Sequence, residues 1–136
     1  MTRPAPEQLD VLVVVAREAR ERAYAPYSRF LVGAALLADD GSVIPGTNVE
    51  NASYGLSMCA ERTAAFRAAS EGVRSFAAVA VVGSNERPAW PCGACRQVLW
   101  ELGPEMLVVA EGLGGHREQR PLADLLPMAF SPTDLA

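Results

Sequence analysis

Hydrophobic residues at helical spacing alternate along the chain with short continuous apolar runs, and this pattern predicts helices separated by buried strands. From Pro6 to about Arg22 the apolar residues recur at helical spacing, which predicts a helix. Between the later apolar runs, the segments 58–70 and 92–102 are also predicted to be helices, ended by Gly72 and Gly103. Three continuous apolar runs are typical of buried strands, and they cover 30–38, 75–83 and 106–110.

Turn residues indicate how the remaining strands pair. The turn signal at 39–41 predicts a hairpin, whose return strand covers about 42–50. Pro45 within that strand favours an edge position or a bulge, because proline cannot donate a ladder hydrogen bond. The glycine-rich connection at 112–115 is too short for a crossover, so a strand within 116–120 should pair antiparallel with its predecessor.

A short predicted helix at 122–126 and a tail at 127–136 follow the last strand. Five strands flanked by helices on both faces predict an α/β fold, a three-layer α/β/α sandwich around a five-stranded mixed sheet. The chain has 136 residues, and 50% of them are hydrophobic, which is enough for one well-buried domain and too little for two. Residues 1–136 are therefore interpreted as a single domain.

The first predicted helix is apolar on more than one side, and such a helix is buried on more than one side. It either packs on the sheet with a valine or two left in solvent, or also forms a subunit interface. Its main apolar face comprises Leu9, Leu12, Val13, Ala16 and Ala19, and this face is broadened by Val11, Val14 and Val15.

Charge and hydropathy argue against two classes of partner. The formal net charge is −4 and the arginines are scattered among acidic residues, so no basic stripe offers a footprint for nucleic acid. The apolar run 11–16 is far too short to span a membrane. The three cysteines suit the reducing cytoplasm, which is the expected location.

The candidate chemistry is concentrated where a cysteine and a glutamate lie two positions apart, at Cys59 and Glu61. Downstream, Cys92 and Cys95 have the i, i+3 spacing of one helix face, if Pro91 opens the helix. Zinc binds thiolates readily, and a catalytic zinc site keeps three protein ligands and an open position for water. The three cysteines are therefore predicted to hold one Zn²⁺ per chain, with Glu61 as the base beside that water.

Other interpretations of these residues remain open. The thiols could be inert, or Cys92 and Cys95 could be a redox pair, although a redox pair needs no third cysteine. A purely structural zinc module would need a fourth protein ligand, for which the only histidine, His116, is available. In its glycine-rich loop, however, a solvated His116 is expected. Asn48 and Glu50, at the end of the return strand, could simply cap turns.

A set of motifs spread along nearly the whole chain resembles the small cytidine deaminases. In zinc deaminases a ligand two residues before a glutamate precedes Pro-Cys-x-x-Cys, and the glutamate is not a ligand. The matching segments are Pro26-Tyr27-Ser28 with Phe30, Val32-Gly33-Ala34-Ala35, Asn48-Val49-Glu50-Asn51-Ala52, Cys59-Ala60-Glu61-Arg62-Thr63, Pro91-Cys92-Gly93-Ala94-Cys95-Arg96-Gln97, and Leu125-Leu126-Pro127 with Phe130 and Asp134-Leu135.

The resemblance implies a homotetramer that converts cytidine and 2'-deoxycytidine to uridine and 2'-deoxyuridine with release of ammonia, as in pyrimidine salvage. The implied partner is therefore a small nucleoside. Glu61 would shuttle protons, and Arg62 would hydrogen-bond the thiolates and so tune their charge. The implied zinc ligands are Cys59, Cys92 and Cys95, and the implied substrate-binding residues are Phe30, Asn48, Glu50, Ala60 and Phe130.

Within that substrate set, Asn48 and Glu50 would hold the sugar 3'-hydroxyl, and the Ala60 backbone would contact the pyrimidine. Phe130, in the tail 127–136, would stack on the pyrimidine in a neighbouring subunit's site. The alternative is that Phe130 seals the core of its own subunit. A deaminase of a nucleotide or of an aminoacylnucleoside antibiotic would share the zinc motifs and differ at the sugar-binding cluster. The departures from the family pattern are Thr47, Ser53, Gly55 and Trp90.

Overall fold

The computed structural model describes residues 3–135, and the predicted helices and strands form close to their expected bounds. The four helices are α1 (Pro6–Arg20), α2 (Ala60–Ser70), α3 (Gly93–Leu102) and α4 (Leu122–Leu125). The five strands are β1 (Gly33–Ala38), β2 (Val43–Thr47), β3 (Phe76–Val82), β4 (Leu107–Glu111) and β5 (Arg117–Pro121). Short 3₁₀ turns cover Tyr54–Leu56, Leu113–Gly115 and Pro132–Leu135.

The five strands form one mixed sheet in the order β2-β1-β3-β4-β5, as predicted. Strand β1 runs antiparallel to β2 and β3, β3 runs parallel to β4, and β4 runs antiparallel to β5. Pro45 lies on β2, which is an edge strand, so the edge position expected from its missing N–H is confirmed. The short connection after β4 produces the expected antiparallel hairpin.

Alternate residues of the central strands supply two separate cores on opposite faces of the sheet, because successive side chains of a strand point to opposite sides. Helix α1 covers one face, and α2 and α3 cover the other, which confirms the three-layer arrangement. The core on the α1 face includes Leu12, Ala16, Ala35, Leu37 and Val82, and the core on the other face includes Leu36, Ala64, Val79, Val81 and Leu99.

Strand directions bring the starts of α2 and α3 together. Since β1 is antiparallel to both β2 and β3, these two strands run the same way and end at the same edge of the sheet. Helix α2 follows β2 and helix α3 follows β3 along the chain, so both helices begin at that edge. The carboxyl edge of such a sheet is where α/β folds place their ligand sites.

Two predicted strands are shorter than expected, and the Asn48 side chain joins residues that lie just outside them. Residues 30–32 precede β1, and the N–H of Val32 donates to Asn48 Oδ1 at 2.8 Å. The Asn48 Nδ2 group in turn donates to the carbonyl of Phe30 at 2.8 Å. These two bonds supplement the backbone bond from the Asn48 N–H to the Val32 carbonyl at 3.2 Å. Beyond Thr47 the return strand continues only as isolated bridges through Val49.

Polar side chains of α1 anchor it to the ends of β3 and β4. Arg17 Nη2 lies 2.5 Å from Glu111 Oε2, and Glu111 is only 5% exposed. Arg20 Nη1 donates to the carbonyl of Gly83 at 2.9 Å. The valines that broaden the apolar face of α1 remain uncovered in the single chain, where Val11 is 55% and Val14 is 45% exposed. Of the helices described between residues 3 and 135, none has the length and apolar character to cross a membrane.

Candidate active site

Three cysteine sulfurs meet where α2 and α3 begin. Cys59 is the N-cap of α2, and Cys92 is the N-cap of α3, with Cys95 in the first turn. The Sγ atoms of Cys59 and Cys92 lie 3.8 Å apart, and those of Cys92 and Cys95 lie 3.6 Å apart. The prediction that Cys59 lies in the first turn of its helix was wrong by one residue, because its backbone is extended and only its carbonyl enters the helical ladder.

The sulfur spacing fits a zinc ion. Tetrahedral coordination with Zn–S bonds of about 2.3 Å separates neighbouring sulfurs by about 3.8 Å. All three Sγ atoms lie within 4.8 Å of one another, and within residues 3–135 no histidine or carboxylate joins them. His116 is exposed and lies 3.3 Å from a Glu118 carboxylate oxygen, so the structural-zinc interpretation lacks its fourth ligand. Three sulfurs leave one tetrahedral position open.

Arg62 supplies positive charge beside the sulfurs. Its Nη2 donates to Cys59 Sγ at 3.4 Å. The neighbouring thiol of Cys95 and the Arg62 guanidinium both lower the pKa of Cys59, and the helix N-terminus favours a thiolate at the same position. The pKa of Cys95 is raised, first by the hydrogen bond with Cys59 and then by burial. Of these two thiols, Cys59 therefore ionises more readily than Cys95.

Glu61 lies in the first turn of α2 and is only 4% exposed. Burial raises the pKa of its carboxyl to about 7. A carboxyl group with a pKa near neutrality can accept a proton at one step and return it at another. The physical cause is desolvation, since removing a carboxylate from water disfavours its charged form.

A cavity of about 410 Å³ connects the cysteine cluster with the polar residues that follow β2. Cys59, Glu61 and Cys92 line one part of it. The structure also brings most of the predicted substrate-binding residues to this cavity, namely Phe30, Asn48, Glu50 and Ala60. Cys95 is buried beside its lining, and Arg62 contacts the cluster from behind.

The polar end of the cavity is tied to the loop before β1. Glu50 Oε1 accepts hydrogen bonds from the backbone N–H groups of Tyr27 and Ser28, at 3.0 and 3.1 Å. The Ser28 hydroxyl donates to the other carboxylate oxygen, and the bonds from Ser28 hold the pKa of Glu50 below its usual value. Glu50 Oε1 already accepts two bonds, whereas Oε2 and the Asn48 amide keep unused bonding capacity, because a carboxylate oxygen accepts about two bonds and an amide can make about four.

Phe130 does not reach the cavity of its own chain. Its side chain is 57% exposed, and its carbonyl accepts a bond from Gln97 Nε2 at 2.8 Å. Its predicted position in a neighbouring subunit's site stays a prediction. The last residue of the predicted tail, Ala136, lies outside the described residues.

Some cavity residues were missed by sequence reasoning. Ser28, Val32, Met58 and Trp90 line the cavity but were assigned no role in advance. Ser28 stood inside a motif that was noticed, and its i+2 relation to Phe30 allows the hydroxyl to accept the Phe30 N–H at 3.0 Å. Trp90 departs from the family pattern at a position expected in the pocket wall, and the structure places it in the cavity lining. The sequence signal for this role is a large aromatic residue directly before Pro91 and the candidate zinc ligand Cys92.

Comparisons with known proteins agree with this geometry. A family model described as "Cytidine and deoxycytidylate deaminase zinc-binding region" matches residues 6–111. The chain is 52% identical over 129 residues to a cytidine deaminase of Sporosarcina psychrophila, covering 94% of this chain and 95% of that protein. It is 56% identical over 126 residues to a cytidine deaminase of Halalkalibacterium halodurans, covering 92% and 96% of the two chains. The solved cytidine deaminase from Burkholderia pseudomallei superposes with a TM-score of 0.86 at 56% identity, over 89% of this chain and 98% of that one.

Proposed function

The chain belongs to the cytidine and deoxycytidylate deaminase family, and from this premise we propose that it deaminates free nucleosides. It is a zinc-dependent hydrolase that converts cytidine and 2'-deoxycytidine to uridine and 2'-deoxyuridine with release of ammonia. The observation that carries this conclusion is a single cavity lined both by Glu61 and two cysteines of the cluster and by the polar pair Asn48 and Glu50.

Cys59, Cys92 and Cys95 hold the zinc. When bound, it would supply Lewis-acid chemistry that lowers the pKa of water to about 7, so a nucleophile would be available at neutral pH. Arg62 offsets part of the negative charge of the three thiolates from its position against Cys59. A less negative cluster leaves the metal a stronger Lewis acid.

Glu61 carries the protons of the reaction. It accepts a proton from the attacking water and donates one to ring N3, which makes C4 of the base electrophilic. Once oxygen has added to C4, Glu61 takes the proton of the new hydroxyl and passes it to the exocyclic nitrogen, so that the C4–N bond breaks, a C4 carbonyl forms and ammonia leaves. One buried carboxyl serves as base and then as acid, and its burial keeps competing solvent away.

Asn48 and Glu50 bind the sugar in this proposal. Both residues line the cavity and keep unused bonding capacity, so a 3'-hydroxyl there would complete the network around Ser28. Phe30 supplies an apolar wall for the nucleoside, and the Ala60 backbone contacts the pyrimidine. A 5'-phosphate is disfavoured, since the Glu50 carboxylate would repel it.

We also propose that the active enzyme is a homotetramer with composite sites and that it works in the cytoplasm. The uncovered valines of α1 and the exposed ring of Phe130 support association between copies, because each leaves apolar surface in water. The tail from residue 127 would deliver Phe130 to a neighbouring site. Three thiols without disulfides suit a reducing compartment, where nucleoside salvage would take place.

The proposed activity is tested by following ultraviolet absorbance with cytidine, 2'-deoxycytidine, free cytosine and deoxycytidine monophosphate as substrates. We expect turnover of both nucleosides, and poor turnover of cytosine and of the monophosphate. A preference for the monophosphate would contradict the proposal and would point to a nucleotide deaminase. Turnover of cytosine equal to that of cytidine would show that the enzyme does not recognise the sugar.

A further inference from the structure

The nucleoside cavity shares a wall with a larger open groove. The groove has a volume of about 1090 Å³ and lies against the loop after β3 and the turn between β4 and β5. Three residues line both the cavity and the groove: Phe30, Ala89 and Trp90. These three residues form a wall common to the two spaces.

Backbone contacts hold the wall formed by Phe30, Ala89 and Trp90 in place. A Cβ atom on Gly83, at the end of β3, would lie 2.7 Å from the Ala89 Cβ and 3.4 Å from the Phe30 ring, so both residues pack directly on the Gly83 backbone. The next residue, Ser84, donates its hydroxyl to the Leu31 carbonyl at 2.6 Å. These contacts fix the segment that carries Phe30 against the loop that carries Ala89. The wall cannot retreat without moving backbone.

Of the three wall residues, Trp90 is the nearest to the zinc ligands along the chain. It precedes Pro91 and the zinc ligand Cys92 in the chain, and it packs against the core under α2 and α3. The reacting carbon of the base must approach the cysteine cluster and Glu61, whereas the sugar lies toward Asn48 and Glu50. Substituents on the exocyclic nitrogen or on C5, which flank the reacting carbon, therefore meet the wall that contains Trp90.

We propose that Trp90 is a specificity-determining residue that closes the base end of the cavity and excludes cytidines carrying bulky substituents at N4 or C5. This inference rests on the proposed nucleoside deaminase function. Trp90 is the largest side chain of the wall, and its removal joins the cavity to the groove beyond. The groove is wide enough to receive a short alkyl or alkynyl chain. A substrate excluded by the native enzyme then becomes a substrate of the variant.

The test measures kcat/KM of Trp90→Ala for N4-butylcytidine and 5-(1-propynyl)cytidine, each relative to cytidine. Hydrolysis of the first probe gives uridine and butylamine, and that of the second gives 5-(1-propynyl)uridine and ammonia. A single methylene in an apolar pocket changes discrimination by about 10- to 200-fold. We therefore expect at least one ratio to rise by about 10-fold or more. This ratio is insensitive to a general loss of stability, which lowers turnover of every substrate together.

Matched variants separate the possible outcomes. Leu113 lines the groove but not the cavity, so Leu113→Ala should leave both ratios unchanged. Trp90→Phe keeps an aromatic ring in the core and should raise the ratio by a smaller factor, which keeps the test valid where Trp90→Ala fails to fold or to bind zinc. Ratios that stay at the wild-type value in a zinc-loaded Trp90 variant overturn the inference. Failure of the wild-type enzyme to turn over cytidine overturns the proposed function instead.

Discussion

Replacing Gly46 with alanine should disturb the active site from outside it. Gly46 lies in β2 directly beneath α2, and an added Cβ would be 2.5 Å from the Ala64 nitrogen and 2.6 Å from the Ala60 carbonyl oxygen. Ordinary contact begins at 3.4 Å, so the closest approach is about 0.9 Å too short. All the atoms met belong to the backbone, so no side-chain rotation relieves the overlap and the helix must shift.

The expected loss of activity in Gly46→Ala follows from the active-site residues that α2 positions. Cys59 caps this helix and Glu61 lies in its first turn, so a shift of α2 moves both relative to Cys92 and Cys95 on α3. A displacement of about 1 Å in a catalytic geometry can cost roughly 10²-fold in rate. Overpacking of a closely fitted interior typically costs about 1–3 kcal/mol of stability. Gly46 does not have a positive φ, so these costs come from the contact alone.

The assay combines kcat/KM for cytidine, zinc content per chain and the urea midpoint of unfolding. Gly55→Ala is the matched control, because a Cβ at Gly55 meets nothing within 4 Å and its φ is not positive. We expect Gly46→Ala to lose activity and stability while Gly55→Ala keeps both. Wild-type kcat/KM and stability in Gly46→Ala would refute the argument that β2 sets the position of α2.

Three further predictions concern individual side chains of the site. Arg62→Gln removes the guanidinium that donates to Cys59 Sγ, so the pKa of Cys59 should rise. Competition with a chelator should show weaker zinc binding, and turnover should be slower. If neither zinc binding nor turnover changes, Arg62 does not tune the cluster. Glu50→Ala should lower kcat/KM more for cytidine than for free cytosine, since a site built to pair a hydroxyl discriminates against its absence, and an equal loss would rule out sugar recognition. Phe130→Ala should lower kcat/KM by about 5- to 150-fold, the worth of aromatic stacking on a base, without loss of zinc. The specific activity of mixed tetramers of Phe130→Ala and Glu61→Gln subunits, verified by native mass spectrometry, should then exceed the mean of the two single variants. A specific activity equal to that mean would show that Phe130 acts within its own subunit.

The fold could be predicted where a continuous run of apolar residues indicates a buried strand. The seven residues of β3 are all apolar and all buried, and no polar position obscured their assignment. The antiparallel β5 followed from the shortness of the connection before it, which leaves no room for a crossover. Helix α1 ended two residues earlier than predicted, at Arg20, since the apolar spacing gives no strong signal at its end.

Most of the cavity depended on contacts between distant segments, which no local pattern reports. The Asn48 side chain bonds to Phe30 and Val32 across a separation of 16 to 18 residues, just outside two strands that looked longer in the sequence. The role of Ser28 as a donor to Glu50 is equally non-local. The cysteine cluster was predictable because the chemistry of zinc requires these ligand types, whereas the tertiary contacts around it required the folded chain.

The most direct test of the central claim is a joint measurement of zinc coordination and cytidine turnover in Glu61→Gln. The substitution keeps the size of the side chain and removes its capacity to carry a proton, while the three cysteines are untouched. We expect X-ray absorption to show one zinc per chain with three sulfurs and one light atom, as in the wild-type enzyme. Turnover should fall by at least the ~10²- to 10⁴-fold typical of losing a general acid-base group. Near-normal turnover with zinc still bound, or a fourth protein ligand on zinc in the resting wild-type enzyme, would contradict the account.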